Sequence, residues 1–178
     1  GAAASVAVSA NPTSIVANGT SQSTIVATVR DANNNPVSGA TVNFSTSRGT
    51  VNPTSRTTNA SGQASVTLTS GTSAGTATVT ATSGGKTGQV NVMFAAGAAA
   101  SVTVSANPTS IVANGTSQST IVATVRDANN NPVSGATVNF STSRGAVNPT
   151  SATTNASGQA SVMLTSGTSA GTATVTAT

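Results

Sequence analysis

The sequence contains no cysteine, histidine, tryptophan, tyrosine or glutamate. Each absence removes a class of chemistry. Without cysteine there is no disulfide framework. Asp31, Asp127 and Lys86 are the only side chains left from the set that usually carries general acid–base catalysis. Serine and threonine abound, but no histidine is present to activate one as a nucleophile. Zinc sites need clustered Cys, His or carboxylate side chains, and the sequence offers none. The inventory therefore excludes most enzymes, and it calls for no cofactor.

Charge is equally scarce, at 4% of residues. The net charge of +4 reflects missing acids, not dense bases. Six scattered cations, with no Trp or Tyr to stack on a base, do not form a nucleic-acid groove. The same lack of Trp and Tyr argues against a carbohydrate-binding module. No apolar run approaches the roughly 18 residues of a membrane span. The Ala-rich stretch from Ala95 to Ala100 is short and interrupted by Gly97. No basic segment followed by an apolar one opens the chain, so a secretory signal is expected to be absent or already removed. The polypeptide reads as a mature or excised piece of something larger.

What the chain has is hydroxyl groups and valine. Thr and Ser make up 61 of 178 residues, and Val supplies 22 of the 31 Leu, Ile, Val and Phe residues. So few large apolar residues would permit disorder, but disorder also requires a high net charge, which is lacking. Val and Thr together favour strands.

The sequence is almost entirely repeat. Residues 1–82 and 97–178 align without gaps at an offset of 96 and differ at four of 82 positions: Ala7/Thr103, Thr50/Ala146, Arg56/Ala152 and Thr67/Met163. That period is too long for a solenoid unit and matches one small domain of about 100 residues. Two tandem domains are expected, at 1–94 and 101–178, joined by an Ala/Gly linker at 95–100. The second copy has no counterpart of the segment from Ser83 to Phe94.

Apolar residues alternate with polar ones along each copy, the signature of half-buried strands. In the first copy the alternating sets are Val6 and Val8; Ile25, Ala27 and Val29; Val42 and Phe44; Ala64, Val66 and Leu68; Ala77, Val79 and Ala81; and Val90, Val92 and Phe94. A further strand carries Ile15 after the Asn11-Pro12 break. Turn signals such as Asn18-Gly19, Asn33-Asn34-Asn35-Pro36, Arg48-Gly49 and Gly84-Gly85 separate them. Seven short strands with this punctuation predict an all-β, two-sheet antiparallel sandwich. The second sandwich lacks its last strand and is expected to leave a sheet edge open. Positions 7/103 and 67/163 fall on the outward face of this scheme, and 50/146 and 56/152 fall in loops.

The runs from Ile25 to Phe44, from Thr58 to Thr69 and from Ala74 to Ala81 resemble bacterial immunoglobulin-like (Ig-like) domains of the invasin/intimin adhesin type. The resemblance covers nearly all of both copies. It rests on the Asp31-x-x-x-Asn35-Pro36-Val37 turn, the Thr58-Asn59-x-x-Gly62-x-Ala64 strand entry and the Ala74-Gly-Thr-Ala-Thr-Val79 strand. It implies two tandem Ig-like β-sandwiches in a stalk that holds an adhesive tip away from the bacterial outer membrane. Receptor binding in that family generally belongs to specialised terminal domains that nothing here resembles, so no binding residue carries over.

Candidate sites are few. Asp31, Asn33 and Asn35 place oxygen ligands at the first, third and fifth positions of a calcium loop. Pro36 replaces the required Gly and Val42 the bidentate Glu, so a polar turn explains the segment better. Asp127 to Asn131 repeats it. Asn18-Gly-Thr20, Asn43-Phe-Ser45 and Asn59-Ala-Ser61 fit the N-glycosylation triplet, which arises readily in so hydroxyl-rich a chain. Arg30 and Asp31 read as an exposed strand-end pair, and Arg48, Arg56 and Lys86 as solubilising loop residues. Met163 is an outward apolar residue that could serve as a contact.

The leading expectation is thus a structural repeat of an extracellular bacterial stalk, non-enzymatic, with neighbouring Ig-like repeats as its partners. Any host receptor would be bound through other domains. The few residues from Phe94 to Val102 favour an end-to-end arrangement over loosely tethered beads. The alternative is a filament subunit whose open second sandwich accepts a strand from a neighbouring chain. A boundary cut through a longer array, with the strand supplied in cis, is the simpler account of that opening.

Overall fold

A computed structural model describes residues 1–178. It contains strands and no helix, and it divides into two compact units, Gly1–Ala95 and Ala96–Thr178.

The first unit has nine strands: β1 (Ser5–Asn11), β2 (Ser14–Val16), β3 (Gln22–Arg30), β4 (Thr41–Thr46), β5 (Thr50–Asn52), β6 (Ser55–Thr57), β7 (Gln63–Thr69), β8 (Gly75–Ser83) and β9 (Lys86–Ala95). One sheet runs β1-β3-β7-β5 and the other β2-β9-β8-β4-β6. Pro12 cannot donate to a ladder, so the chain leaves the first sheet there and joins the second as β2. The buried Ser23 hydroxyl holds this crossover by donating to the Pro12 carbonyl at 2.7 Å.

Period two places one row from each strand between the sheets. Val6, Ile25, Ala27, Val29, Val51, Ala64, Val66 and Leu68 face Ile15, Val42, Phe44, Ala77, Val79, Ala81, Val92 and Phe94 across a single core. Phe94 is fully buried, opposite Gly75 on β8 and Ile15 on β2. The core position Val51 was not among the alternating sets read from the sequence.

Several expectations need correction. The first unit has nine strands, not seven, because β5 and β6 add two short edge strands. The pairing is not antiparallel throughout, because β2 runs parallel to β9. Positions 50 and 56 lie in the three-residue strands β5 and β6, not in loops. Such short strands sit at sheet edges and show no readable alternation. The outward placement of positions 7/103 and 67/163 agrees with the structure, where none of the four side chains is buried.

The second unit has seven strands: β10 (Ala99–Asn107), β11 (Gln118–Asp127), β12 (Thr137–Thr142), β13 (Ala146–Asn148), β14 (Ser151–Thr153), β15 (Gln159–Thr165) and β16 (Val175–Ala177). Its sheets run β10-β11-β15-β13 and β14-β12-β16. Strand β10 begins at Ala99, within the segment that composition marks as linker. No strand occupies the place of β9, and Ser110–Val112, the counterpart of β2, forms no ladder.

Identical side chains therefore have different surroundings in the two units. Val6 is 9% exposed but Val102 is 40%, and Val16 is 40% exposed but Val112 is 68%. The clustered core falls from seventeen buried apolar residues to eight.

Candidate functional site

The Asp-Ala-Asn-Asn-Asn-Pro turn after β3 is folded by its own amides. Asp31 Oδ1 accepts the backbone N–H of Asn33 at 3.0 Å and of Asn35 at 2.9 Å, and Asp31 Oδ2 accepts Asn35 Nδ2 at 3.3 Å. Asn34 takes a φ of 65°, which asparagine tolerates better than most residues. The structure thus brings Asp31, Asn33 and Asn35 together through N–H groups aimed at the carboxylate. Those donors compete with a cation for the same oxygens. No three His, Cys, Asp or Glu side chains gather anywhere in the fold.

In the second unit the same turn also reaches the chain entering that unit. Asp127 Oδ2 accepts the Gly97 N–H at 2.8 Å and Asn131 Nδ2 at 3.0 Å, and Oδ1 accepts the N–H groups of Asn129 and Asn131 at 2.9 and 2.8 Å. Asp127 is 5% exposed. Burial alone would raise its pKa, but the Asn131 amide, the Gly97 N–H and the other backbone donors outweigh it and hold the carboxyl below its ordinary value. The Asn35 N–H is the main cause of the same downward shift at Asp31. There the terminal ammonium of Gly1 lies 3.6 Å from Oδ2.

The structure reassigns the other singled-out residues. Arg30 does not pair with Asp31, because its guanidinium donates to the Asn34 carbonyl at 2.8 Å and closes the turn. Arg48 reaches the Ala74 carbonyl at 3.4 Å, and Arg56, on β6, reaches the Ser65 carbonyl at 3.1 Å. Both tie elements together as well as meeting solvent. Lys86 opens β9 and is exposed. Asn18 Oδ1 accepts the N–H groups of Thr20 and Ser21, and Asn59 Oδ1 those of Ser61 and Gln63, so both asparagines shape turns. Asn43 lies on β4. Met163 is half-buried, with the Thr120 hydroxyl 3.6 Å from its sulfur.

Sequence reasoning missed the buried hydroxyls. Thr58 Oγ1 donates to the Val37 carbonyl at 2.6 Å and accepts the Ala40 N–H at 2.9 Å, and Thr154 repeats the arrangement with Val133 and Ala136. Among 34 threonines, composition gives no signal that marks these two.

A groove of about 460 Å³ lies in the second unit. Its lining includes Val104, Ile111, Ile121, Leu164, Ala173 and Val175. In the first unit the counterparts of all six pack into or against the core that β9 helps to close.

The bacterial Ig-like domain (group 1) family matches residues 5–95, and invasin domain 3 matches residues 98–178. Among solved structures, Yersinia pseudotuberculosis InvD is 32% identical with a TM-score of 0.75, over 97% of this chain and 52% of its own. Invasin, described as a bacterial integrin-binding protein, is 32% identical with a TM-score of 0.50, over 97% of this chain and 36% of its own. The Y. pseudotuberculosis adhesin InvE is 26% identical with a TM-score of 0.50, over 97% of this chain and 55% of its own. The chain thus spans between about a third and just over half of these similar chains. No match is found among the curated proteins. The chain, two Ig-like β-sandwich units in tandem, belongs to the bacterial Ig-like domain (group 1) family.

Proposed function

We propose that the chain is a spacer module of an extracellular bacterial surface adhesin, setting an adhesive tip apart from the cell, with no catalytic role of its own. One observation carries this reading. Only Ala96, Gly97 and Ala98 separate β9 from β10, and the Asp127 carboxylate ties Gly97 to the second unit. A connector so short and so held suits a load-bearing repeat better than a flexible tether. The outward faces, rich in Thr and Ser and poor in charge, suit an inert surface. The partners are neighbouring Ig-like repeats of the same protein. Invasin is named as integrin-binding; in a protein of that kind this chain would space the receptor-binding part. Anchoring in the outer membrane falls to other segments of the parent.

The test is cell binding by the purified 178-residue chain beside the parent adhesin. The spacer reading expects the parent to bind and the chain alone to stay at background. Saturable binding by the chain alone would overturn it.

A second reading, strand addition between neighbouring chains, draws on the uncovered edge of the second unit. It requires self-association. Monomeric behaviour by light scattering up to millimolar concentration would refute it.

A further inference from the structure

We infer that Asn18-Gly19 and Asn114-Gly115 are self-modifying sites: the folded chain deamidates there without an enzyme, and the turn directs the product to aspartate, not isoaspartate. These are the only asparagines followed by glycine. Both are exposed.

The side chain is already arranged for the reaction. Asn18 Oδ1 accepts the Thr20 N–H at 3.0 Å, the Ser21 N–H at 2.8 Å, the Thr20 hydroxyl at 3.1 Å and the Ser70 hydroxyl at 3.4 Å. Asn114 Oδ1 repeats this with the Thr116 and Ser117 N–H groups and the Thr116 and Ser166 hydroxyls, at 3.0, 2.8, 3.1 and 3.3 Å. Bonds to residues two and three ahead fold Cγ forward over the intervening Gly19 peptide. The donors gather on the oxygen where negative charge develops when Cγ is attacked, as in an oxyanion hole. Glycine brings the attacking nitrogen with no Cβ beside it. An added Cβ at Gly19 would meet only Thr72 Cγ2, at 3.5 Å, so the turn is open there. The Gly19 N–H is held by a long bond, 3.2 Å, to the Gly71 carbonyl.

The Gly19 nitrogen gives its proton to solvent and bonds to Cγ. The Cγ–Nδ2 bond breaks, and ammonia departs with a proton from water. Water then opens the succinimide. Attack at Cγ restores the ordinary backbone with an aspartate at position 18; attack at the main-chain carbonyl carbon routes the backbone through the side chain as isoaspartate. The turn favours the first. Donors that polarise Cγ in the amide polarise it in the succinimide as well. The new carboxylate keeps them as charge-assisted bonds about twice as strong. Isoaspartate adds a main-chain methylene before Gly19, which moves its N–H off the Gly71 carbonyl. Each reaction removes one unit of charge, so two take the net charge from +4 to +2.

Each copy contains its own control. Asn59 Oδ1 accepts the Ser61 and Gln63 N–H groups in a similar turn, but Ala60 follows, and its methyl crowds the attacking nitrogen. Asn155, before Ala156, repeats this.

The test ages the intact chain at neutral pH, native and in urea, and reads tryptic peptides by electron-transfer mass spectrometry, which separates aspartate from isoaspartate. The four asparagines fall in different peptides, 1–30, 57–86, 87–126 and 145–178. In the native chain Asn18 and Asn114 should deamidate well ahead of Asn59 and Asn155. The aspartate-to-isoaspartate ratio should be roughly tenfold higher in the native chain than in urea, the equilibrium effect of one or two hydrogen bonds kept instead of lost. Asn18→Asp, the product made directly, should leave the first unit's melting temperature unchanged or raised.

Reaction at Asn18 and Asn114 no faster than at Asn59 and Asn155 would overturn the inference. Equal product ratios in the native and unfolded chains, or a first-unit transition lowered by Asn18→Asp, would do the same.

Discussion

Replacing Phe94 by alanine isolates what the last strand contributes. The ring is fully buried, opposite Gly75 and Ile15 and against Gly49, so its removal leaves a cavity among residues held by backbone pairing. Burial lost plus cavity left costs about 3–5 kcal/mol for a Phe→Ala change in a core. Each kcal/mol lowers the melting temperature of a domain this size by roughly 4–8 °C. A fall on the order of 15–30 °C in the first unit's transition follows. The assay is differential scanning calorimetry with circular dichroism, since the chain has neither Trp nor Tyr to report by fluorescence. Two transitions are expected, the lower from the second unit with its smaller core. That unit contains no counterpart of Phe94 and serves as the internal reference. The upper transition should move and the lower should stay. A cost below about 1 kcal/mol, the size of a surface change, would refute the reasoning.

Three further outcomes follow from local geometry. Thr58→Val removes a hydroxyl that serves both the Val37 carbonyl and the Ala40 N–H, and should cost about 1–3 kcal/mol in urea unfolding. Gly49→Ala drives a methyl into the Thr69 carbonyl at a φ of +68°, whereas Gly39→Ala, at +73°, meets nothing within 4 Å. The first should cost at least about 2 kcal/mol more than the second, which bears only the left-handed backbone penalty of about 1–2 kcal/mol. Asp127 sits below its ordinary carboxylate value of 3.8 when folded, so its contribution is complete above that value and lost as pH falls through the lowered one. A carboxylate NMR titration should place its midpoint below 3.8, and Asp127→Asn should remove that acid-sensitive step from the second unit's stability.

The long strands were legible because each buries one row and exposes the other. Ile25, Ala27 and Val29 on β3 and Ala64, Val66 and Leu68 on β7 write that pattern directly. The edge strands β5 and β6 were not, since three residues cannot display a period. The parallel β2–β9 pair escaped for a different reason: it joins segments nearly eighty residues apart, and nothing in Ser14–Val16 encodes direction. The Asp turn was visible as a turn, but the Asp127–Gly97 hydrogen bond was not, because a distant backbone N–H leaves no residue-type signature.

The spacer claim is tested most directly on living cells, by varying the number of 96-residue copies between a fixed membrane anchor and a fixed adhesive tip. The distance from membrane to tip, read by super-resolution imaging of labels at both ends, should grow with each added copy, while adhesion continues to depend on the tip alone. A distance independent of copy number, or adhesion that persists after the tip is deleted, would contradict the account.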